Sequence, residues 1–239
     1  MIFDPSKPPL TDSAGLLKSV PVEAGPEIWK RATRVISSGL CDLQVNGFAG
    51  VDYNDPTLMP EEFEKSLFAM LRTGVTTCLP TVITGSEDWQ IQCFHALEAG
   101  RNASKLAQAM IPGYHLEGPF LNPEEGFCGC HPTKWMRPAT LDHFERLQEA
   151  AGGRITLVTV APEIKGVLDL IPKWVEKGIA VAIGHCNPDR DTLLRAADAG
   201  VTLSTHLGNG IAQMLPKKDN PILGQLAEDR FSASFIADG

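Results

Sequence analysis

Short apolar, β-branched runs alternate with helical patterns along most of the chain, and this alternation most constrains the fold. Seven apolar runs occur, at 34–45, 75–79, 111–116, 155–160, 179–183, 201–204 and 231–236. Between them the sequence predicts helices at 60–71, 87–99, 141–150 and 189–199, and another that ends at Gly178. Strands that alternate with helices imply parallel βαβ units, and runs without polar alternation suit strands buried on both faces.

The same alternation is compatible with an open doubly wound sheet and with a closed barrel, and polar residues at strand ends favour the barrel. An eight-stranded barrel typically needs ~250 residues, whereas this chain has 239 residues and seven predicted strands. We therefore predict an irregular lead-in at residues 1–32 and an incomplete α/β barrel over residues 33–239.

The composition of the chain argues against some classes of binding partner. The 21 basic and 29 acidic residues give a net charge of -8, which argues against a protein that coats nucleic acid or an anionic membrane. The N-terminus lacks the pattern of a signal peptide, and no apolar run is long enough to span a membrane. We expect a cytoplasmic protein whose six scattered cysteines are reduced.

Three polar residues lie just beyond the ends of predicted strands, namely Glu117, His185 and His206. The carboxyl ends of parallel barrel strands share one rim, where active sites are built. A single histidine at a strand end is more often a hydrogen-bonded structural residue than a ligand. A carboxylate and two imidazoles at one rim, however, make up the ligand set of many catalytic zinc sites.

A second arrangement of metal-binding residue types lies at Cys128-Gly129-Cys130-His131. Structural zinc sites need a further pair of ligands at a suitable spacing, and the sequence offers no second cluster. We therefore do not predict a structural zinc ion there.

Several segments resemble the signature segments of the N-acetylglucosamine-6-phosphate deacetylase family. They are His115-Leu116-Glu117-Gly118-Pro119, Gly184-His185-Cys186-Asn187, Thr205-His206-Leu207-Gly208-Asn209, Asp42-Leu43-Gln44-Val45-Asn46-Gly47 and Ile236-Ala237-Asp238-Gly239. They occur in the family's order, and the likeness runs from about residue 38 to the end.

The resemblance implies a TIM-like (β/α)8 amidohydrolase barrel, about seven strands of which are present. Its activity would be removal of the acetyl group from N-acetylglucosamine 6-phosphate, with Glu117, His185 and His206 as metal ligands. The Cys130-His131 segment would contact the N-acetyl group, and Asn209 and Gly210 would bind the sugar phosphate. For the full-length protein the resemblance implies a homodimer.

The stretch Gln44-Val45-Asn46 bears on the number of metal ions. Many amidohydrolases carry His-x-His at this position and bind two metals, whereas amide side chains are weak ligands for transition metals. We therefore expect one divalent metal per subunit, zinc with iron as the alternative. Lys217 and Lys218 lie near the position of a phosphate-binding arginine of the family, although exposed lysine pairs are usually only solvated.

Two features of the family are not found in these residues. A substrate-contacting histidine would come directly after Gly239, and the aspartate that acts as general base is expected beyond Gly239. We therefore expect these 239 residues alone to be poorly active, since lost proton transfer commonly reduces rates roughly 10²–10⁴-fold. Two alternatives stay open: an amidohydrolase for another N-acetyl sugar or amide, and an inactive truncated barrel.

Overall fold

A computed structural model describes residues 39–236. The predicted lead-in at 1–32, the start of the first apolar run and the closing 237–239 segment lie outside the described residues.

Nine strands are present in the described range. They are β1 (Leu40–Val45), β2 (Gly47–Phe48), β3 (Val51–Asp52), β4 (Val75–Val82), β5 (Tyr114–Glu117), β6 (Ile155–Val160), β7 (Ala180–Ile183), β8 (Leu203–Ser204) and β9 (Ser232–Ala233). Seven of them correspond to the seven predicted runs and form one sheet in the order β1-β4-β5-β6-β7-β8-β9, with β1 and β9 at its edges. The pairs from β4 to β9 are all parallel, which confirms the predicted topology of an incomplete barrel. The two-residue strands β2 and β3 form a small antiparallel hairpin that the sequence analysis did not predict.

The α-helices cover the outer face of this sheet. They span Pro60–Leu71, Glu87–Ala103, Lys105–Met110, Leu141–Ala150, Val167–Glu176, Arg190–Ala199 and Pro221–Leu226, and one 3-10 turn spans Thr133–Trp135. The helices predicted at 60–71 and 141–150 have these same bounds. The hydroxyl of Thr140 accepts from the His143 N–H and begins the second of them, as an N-cap should.

One predicted strand boundary was wrong. The apolar run from Ile111 was expected to start a strand, but Ile111 instead ends a short helix by donating to the Ala107 carbonyl. That helix forms because the Ser104 hydroxyl accepts from the Ala107 N–H and caps a new first turn. The strand consequently begins at Tyr114.

The hydrophobic core lies mainly between the sheet and its surrounding helices. It includes the ring of Trp174, which stacks on Phe120 with centroids 6.2 Å apart. A smaller cluster of Leu79, Leu157 and Ala182 fills the inner face of the sheet. The inner face thus has an apolar floor, and the polar residues of the site lie toward the carboxyl ends of the strands.

Within the described residues, no helix has the length and apolar character needed to cross a membrane. All six cysteines fall in this range and are free thiols.

Candidate metal centre

Glu117, His185 and His206 converge at the carboxyl ends of β5, β7 and β8. Their ligand atoms all lie within 4.8 Å of one another, an arrangement able to hold a metal ion. All three side chains are buried. The structure therefore brings together the three residues that the sequence analysis selected.

Both imidazoles face the same carboxylate oxygen. His206 Nε2 lies 3.0 Å from Glu117 Oε1, and His185 Nε2 lies 3.4 Å from it. The two rings are nearly perpendicular, with centroids 4.9 Å apart. Two imidazole nitrogens thus converge on one carboxylate oxygen.

The hydrogen bonding of His185 decides whether these atoms suit a cation. Its Nδ1 lies 2.9 Å from the Phe127 carbonyl, which can only accept, so Nδ1 carries the hydrogen. In the neutral ring Nε2 is then an unprotonated acceptor that faces the acceptor Glu117 Oε1. A metal cation between two facing acceptors satisfies both of them, and a backbone carbonyl on the far nitrogen is the usual partner of a metal-ligating histidine. The residues present therefore fit a metal ion.

The Glu117 carboxyl carries the negative charge of the centre. Burial alone would raise its pKa, but the neighbouring imidazoles of His131, His185 and His206 outweigh burial and hold the pKa well below its usual range. Glu117 is thus ionised at neutral pH, the state required of a metal ligand.

His131 lies on the other side of the carboxylate. Its Nε2 is 3.5 Å from Glu117 Oε2, and its Nδ1 forms a 2.9 Å hydrogen bond with the Thr84 hydroxyl. The ring also packs edge-on against His185, with centroids 4.4 Å apart. His131 therefore borders the group of three without being part of it. Its neighbour Cys130 is exposed.

The loop after β8 packs directly on the metal centre. A Cβ on Gly210 would lie 2.4 Å from His185 Cε1, so the backbone at this position touches the ring. The Asn209 N–H donates to the His206 carbonyl, which leaves its side-chain amide as the exposed donor. Asn209 and Gly210 thus lie beside the candidate metal site, as a substrate loop would.

The remaining predicted residues are not among the three converging side chains. Gln44 is partly buried and Asn46 is exposed at the end of β1. Lys217 and Lys218 are both exposed and line a surface cleft together with Arg190.

Two further buried groups lie near the centre. From the sequence, His115 is expected on the same face of its strand as Glu117, where it would either orient a ligand or be a packed histidine. His115 lies on β5 two residues before Glu117, and burial lowers its pKa to about 4, so the ring is neutral at pH 7. It hydrogen-bonds Thr159, which in turn hydrogen-bonds Thr205. In the sequence, the feature that points to these hydrogen bonds is the recurrence of threonine near the ends of apolar strands.

Glu163, located after β6, is the second of these groups, and the sequence analysis did not select it. One oxygen accepts from the Asn122 side chain, 2.9 Å away, and from the Asn187 N–H, 2.5 Å away. Burial raises the pKa of Glu163. Because Asn187 follows His185 by two residues, this carboxyl ties the loop after β6 to the loop that carries a ligand.

Comparisons with known proteins show which proteins the chain is similar to. The chain is 31% identical over 222 residues to the N-acetylglucosamine-6-phosphate deacetylase of Bacillus subtilis, a match that covers 89% of this chain and 53% of the relative. The chain resembles the N-acetylglucosamine-6-phosphate deacetylases. An N-acetylgalactosamine-6-phosphate deacetylase from Shewanella is 32% identical over 213 residues, covering 88% of this chain and 52% of that protein.

Solved structures show the same resemblance. A variant of the Mycobacterium smegmatis deacetylase, in complex with N-acetyl-D-glucosamine-6-phosphate, matches with a TM-score of 0.72 and 28% identity. The match covers 83% of this chain and 50% of that one. This likeness confirms the incomplete amidohydrolase barrel. No protein-family profile matches the chain, which spans about half the length of the curated relatives it matches.

Proposed function

We propose that Glu117, His185 and His206 hold one divalent metal ion, zinc, in a site that hydrolyses the acetamide of N-acetylglucosamine 6-phosphate. The products would be glucosamine 6-phosphate and acetate. The observation that carries the proposal is the convergence of two histidine Nε2 atoms on one buried carboxylate oxygen, at 3.0 and 3.4 Å. Nitrogen and carboxylate ligands in this ratio are typical of catalytic zinc.

When bound, the metal ion supplies a Lewis acid that polarises a carbonyl group and activates water. The chain's own residues set the position of the acetamide. His131 borders the carboxylate at 3.5 Å and is held by Thr84, so its imidazole is placed to hydrogen-bond the acetamide oxygen. Because these side chains are buried, little bulk water competes with that hydrogen bond.

The loop after β8 is the proposed phosphate site. Since the Asn209 N–H is already bonded to His206, the donors left for a phosphate oxygen are the Asn209 amide and the Gly210 N–H. Uncharged donors of this kind can hold phosphate without a cationic side chain. The exposed pair Lys217 and Lys218 would add only long-range attraction in this scheme.

Gln44 and Asn46 support a single metal ion. In the scheme that the resemblance implies, each stands where a second site would need an imidazole, and neither amide is a strong ligand for zinc. Elemental analysis of the purified protein should therefore give one zinc per chain. Two tightly bound metals would contradict the proposal.

A second substrate deserves a direct comparison because one relative of equal similarity carries a different name. The Shewanella protein is named an N-acetylgalactosamine-6-phosphate deacetylase, and the two sugars differ only in the configuration of one hydroxyl. We favour the glucosamine substrate because the Bacillus subtilis protein and the Mycobacterium smegmatis structure both carry that name.

The test is acetate release by the zinc-loaded protein from four substrates: each of the two N-acetylhexosamines with and without its 6-phosphate. We expect the highest kcat/KM with N-acetylglucosamine 6-phosphate and a loss of at least about tenfold without the phosphate. Glu117→Gln, which keeps the shape of the side chain and removes its charge, should abolish release. Equal rates for this variant and the wild type would overturn the metal-centre assignment. A higher kcat/KM with any of the other three substrates would overturn the proposed substrate, whereas a low absolute rate is expected of these residues alone.

A further inference from the structure

Directly beneath the candidate metal centre, the inner face of the sheet is polar. Barrel interiors are usually filled by branched apolar side chains, and the floor of Leu79, Leu157 and Ala182 follows that rule. The next layer toward the site instead holds Thr81, His115, Thr159 and Thr205, all at most 4% exposed. We call these four residues the polar layer. Burying these polar groups costs free energy unless each of them is hydrogen-bonded.

Hydrogen bonds join three members of the polar layer into a chain with one direction. His115 Nδ1 lies 3.1 Å from the Leu43 carbonyl, which can only accept, so this nitrogen donates. His115 Nε2 must then accept, and the Thr159 hydroxyl donates to it over 2.7 Å. The Thr159 oxygen is in turn left to accept from the Thr205 hydroxyl, also at 2.7 Å. The chain therefore runs from the end of β8 to the first strand.

Thr81 joins the layer to the same edge of the sheet. Its hydroxyl donates to the Leu79 carbonyl and accepts from the Val45 N–H, and it lies 3.4 Å from His115 Nδ1. The polar layer thus fixes β1 against β4 and β5 on one side and reaches β8 on the other.

The backbone of each of the three ligand residues lies next to this layer. His115 precedes Glu117 by two residues on the same face of β5, and Thr205 directly precedes His206. Gly184 directly precedes His185, and a Cβ there would lie 3.0 Å from Thr159 and 3.1 Å from Thr205. The two threonines therefore hold Gly184 between them.

The backbone at two of the ligands needs such support. His185 and His206 have φ angles of 50° and 33°, in the left-handed region that side-chain-bearing residues rarely adopt. A strained backbone of this kind persists only where its surroundings over-determine it. Thr205 directly precedes His206, and the Thr159 side chain packs against Gly184, which directly precedes His185.

We propose that Thr159, through its hydrogen bonds to His115 and Thr205, is a positioning residue that sets the spacing of the three ligands and hence the affinity for metal. This inference rests on the proposed metal centre and adds to it the group that holds its geometry. Volume alone does not require a threonine, because valine has the same shape. The hydroxyl is the part that links the strands.

The experiment measures metal binding by the full chain in three variants. Thr159→Val keeps the shape and removes the hydroxyl, whereas Thr159→Ser keeps the hydroxyl and removes the methyl group. Thr156→Val makes the same change at an exposed position of the same strand. Zinc affinity is read by competition with a chromophoric chelator, cobalt(II) geometry by the visible absorption spectrum, and folding of the metal-free chain by urea unfolding.

We expect Thr159→Val to lose about 10–100-fold in zinc affinity, the usual effect of removing a group that orients ligands, and to change the cobalt spectrum. Thr159→Ser and Thr156→Val should stay within about threefold of the wild type. Wild-type affinity and spectrum in Thr159→Val would overturn the inference, as would equal losses in the valine and serine variants, because the methyl group would then be responsible. If Thr159→Val does not fold, Thr205→Val removes the last hydroxyl of the hydrogen-bonded series His115–Thr159–Thr205, and the same results are expected of it.

The two proposals fail in different ways. A wild-type chain that binds neither zinc nor cobalt would overturn both the metal centre and the positioning role. A wild-type chain that binds one equivalent while Thr159→Val binds equally well would overturn only the positioning role.

Discussion

The His185 Nδ1–H donates to the carbonyl of Phe127, across 2.9 Å. This bond connects a candidate metal ligand to a loop 58 residues earlier in the chain. The same loop continues through Gly129 to His131, so it touches the metal centre at three successive points. The ring position of His185 therefore depends on the backbone of a loop that contributes no ligand.

Gly129→Ala tests that dependence. A Cβ at this position would lie 2.7 Å from His185 Cε1, and the φ of Gly129 is +56°. The added methyl group should push the ring away from Glu117 and lower zinc affinity by about tenfold or more. Competition titration with a chelator measures the change.

Gly153→Ala is the matched control for this substitution. Gly153 also has a positive φ, +76°, but nothing lies within 4 Å of its would-be Cβ. Both variants should lose roughly 1–2 kcal/mol of unfolding free energy to left-handed backbone strain. Only Gly129→Ala should lose zinc affinity, and a similar loss in both variants would mean that the loop does not position the ring.

Bound zinc should stabilise the fold if the three residues hold it. A ligand at 100 times its dissociation constant adds about 2.7 kcal/mol to the free energy of unfolding, which for a chain of this size raises Tm by about 5–10 °C. Glu117→Gln should show no such rise, because one ligand loses its charge. Scanning calorimetry with zinc or with a chelator measures the difference. Equal shifts in the two proteins would place the bound zinc elsewhere.

The three candidate metal ligands could be predicted from the sequence, whereas the groups that position them could not. Glu117, His185 and His206 could be selected because each is a polar residue immediately after an apolar run, and parallel strands bring such positions to one rim. Helices were predictable where a cap is local, as at Thr140. The Phe127 carbonyl could not be selected, since every residue carries a carbonyl and only the folded loop aims this one at His185.

Thr159 and Thr205 illustrate a second limit. Threonine is a common strand residue, so composition alone does not distinguish these two threonines from others in apolar runs. Its partner is set by the register between strands, which pairs Thr159 with Ala182 and Ala182 with Leu203. That register depends on the packing of the whole sheet, and a single sequence does not contain it in readable form.

Acid should destabilise the fold partly through Glu98. This carboxylate accepts from the Tyr114 hydroxyl at 2.6 Å and from Arg154 Nε at 2.9 Å. Burial raises its pKa, but the hydrogen bonds from Arg154 and Tyr114 prevail and the pKa is lowered. A carboxyl whose pKa is lower in the folded state stabilises the protein at pH values above its unfolded pKa, which is about 4.3. That contribution is lost as the pH falls through the lower, folded pKa.

Glu98→Gln measures this contribution by urea unfolding between pH 7 and pH 3. The variant should be less stable than the wild type at pH 7, and the gap should narrow as the pH falls. Glu149→Gln, at an exposed position, should leave the pH dependence unchanged. A gap between wild type and Glu98→Gln that is constant with pH would show that the ion pair is not the cause.

The contact between the helices Pro60–Leu71 and Glu87–Ala103 depends on a glycine. A Cβ on Gly100 would lie 2.5 Å from Phe63 Cδ1, and the Phe63 ring is fully buried beside Tyr53, with centroids 5.0 Å apart. Gly100→Ala should gain about 1 kcal/mol of helix propensity. It should lose about 1–3 kcal/mol to overpacking, because the ring has no solvent to move into. We therefore expect net destabilisation in urea unfolding.

Combining Gly100→Ala with Phe63→Leu separates the two effects. The smaller side chain vacates the space that the new methyl group needs, so the double variant should be more stable than the sum of the single losses predicts. A coupling of about 0.5–3 kcal/mol is usual for residues in contact. Strictly additive losses would mean that the ring does not limit the approach of the two helices, and the glycine would then have to be explained by the backbone of its own helix.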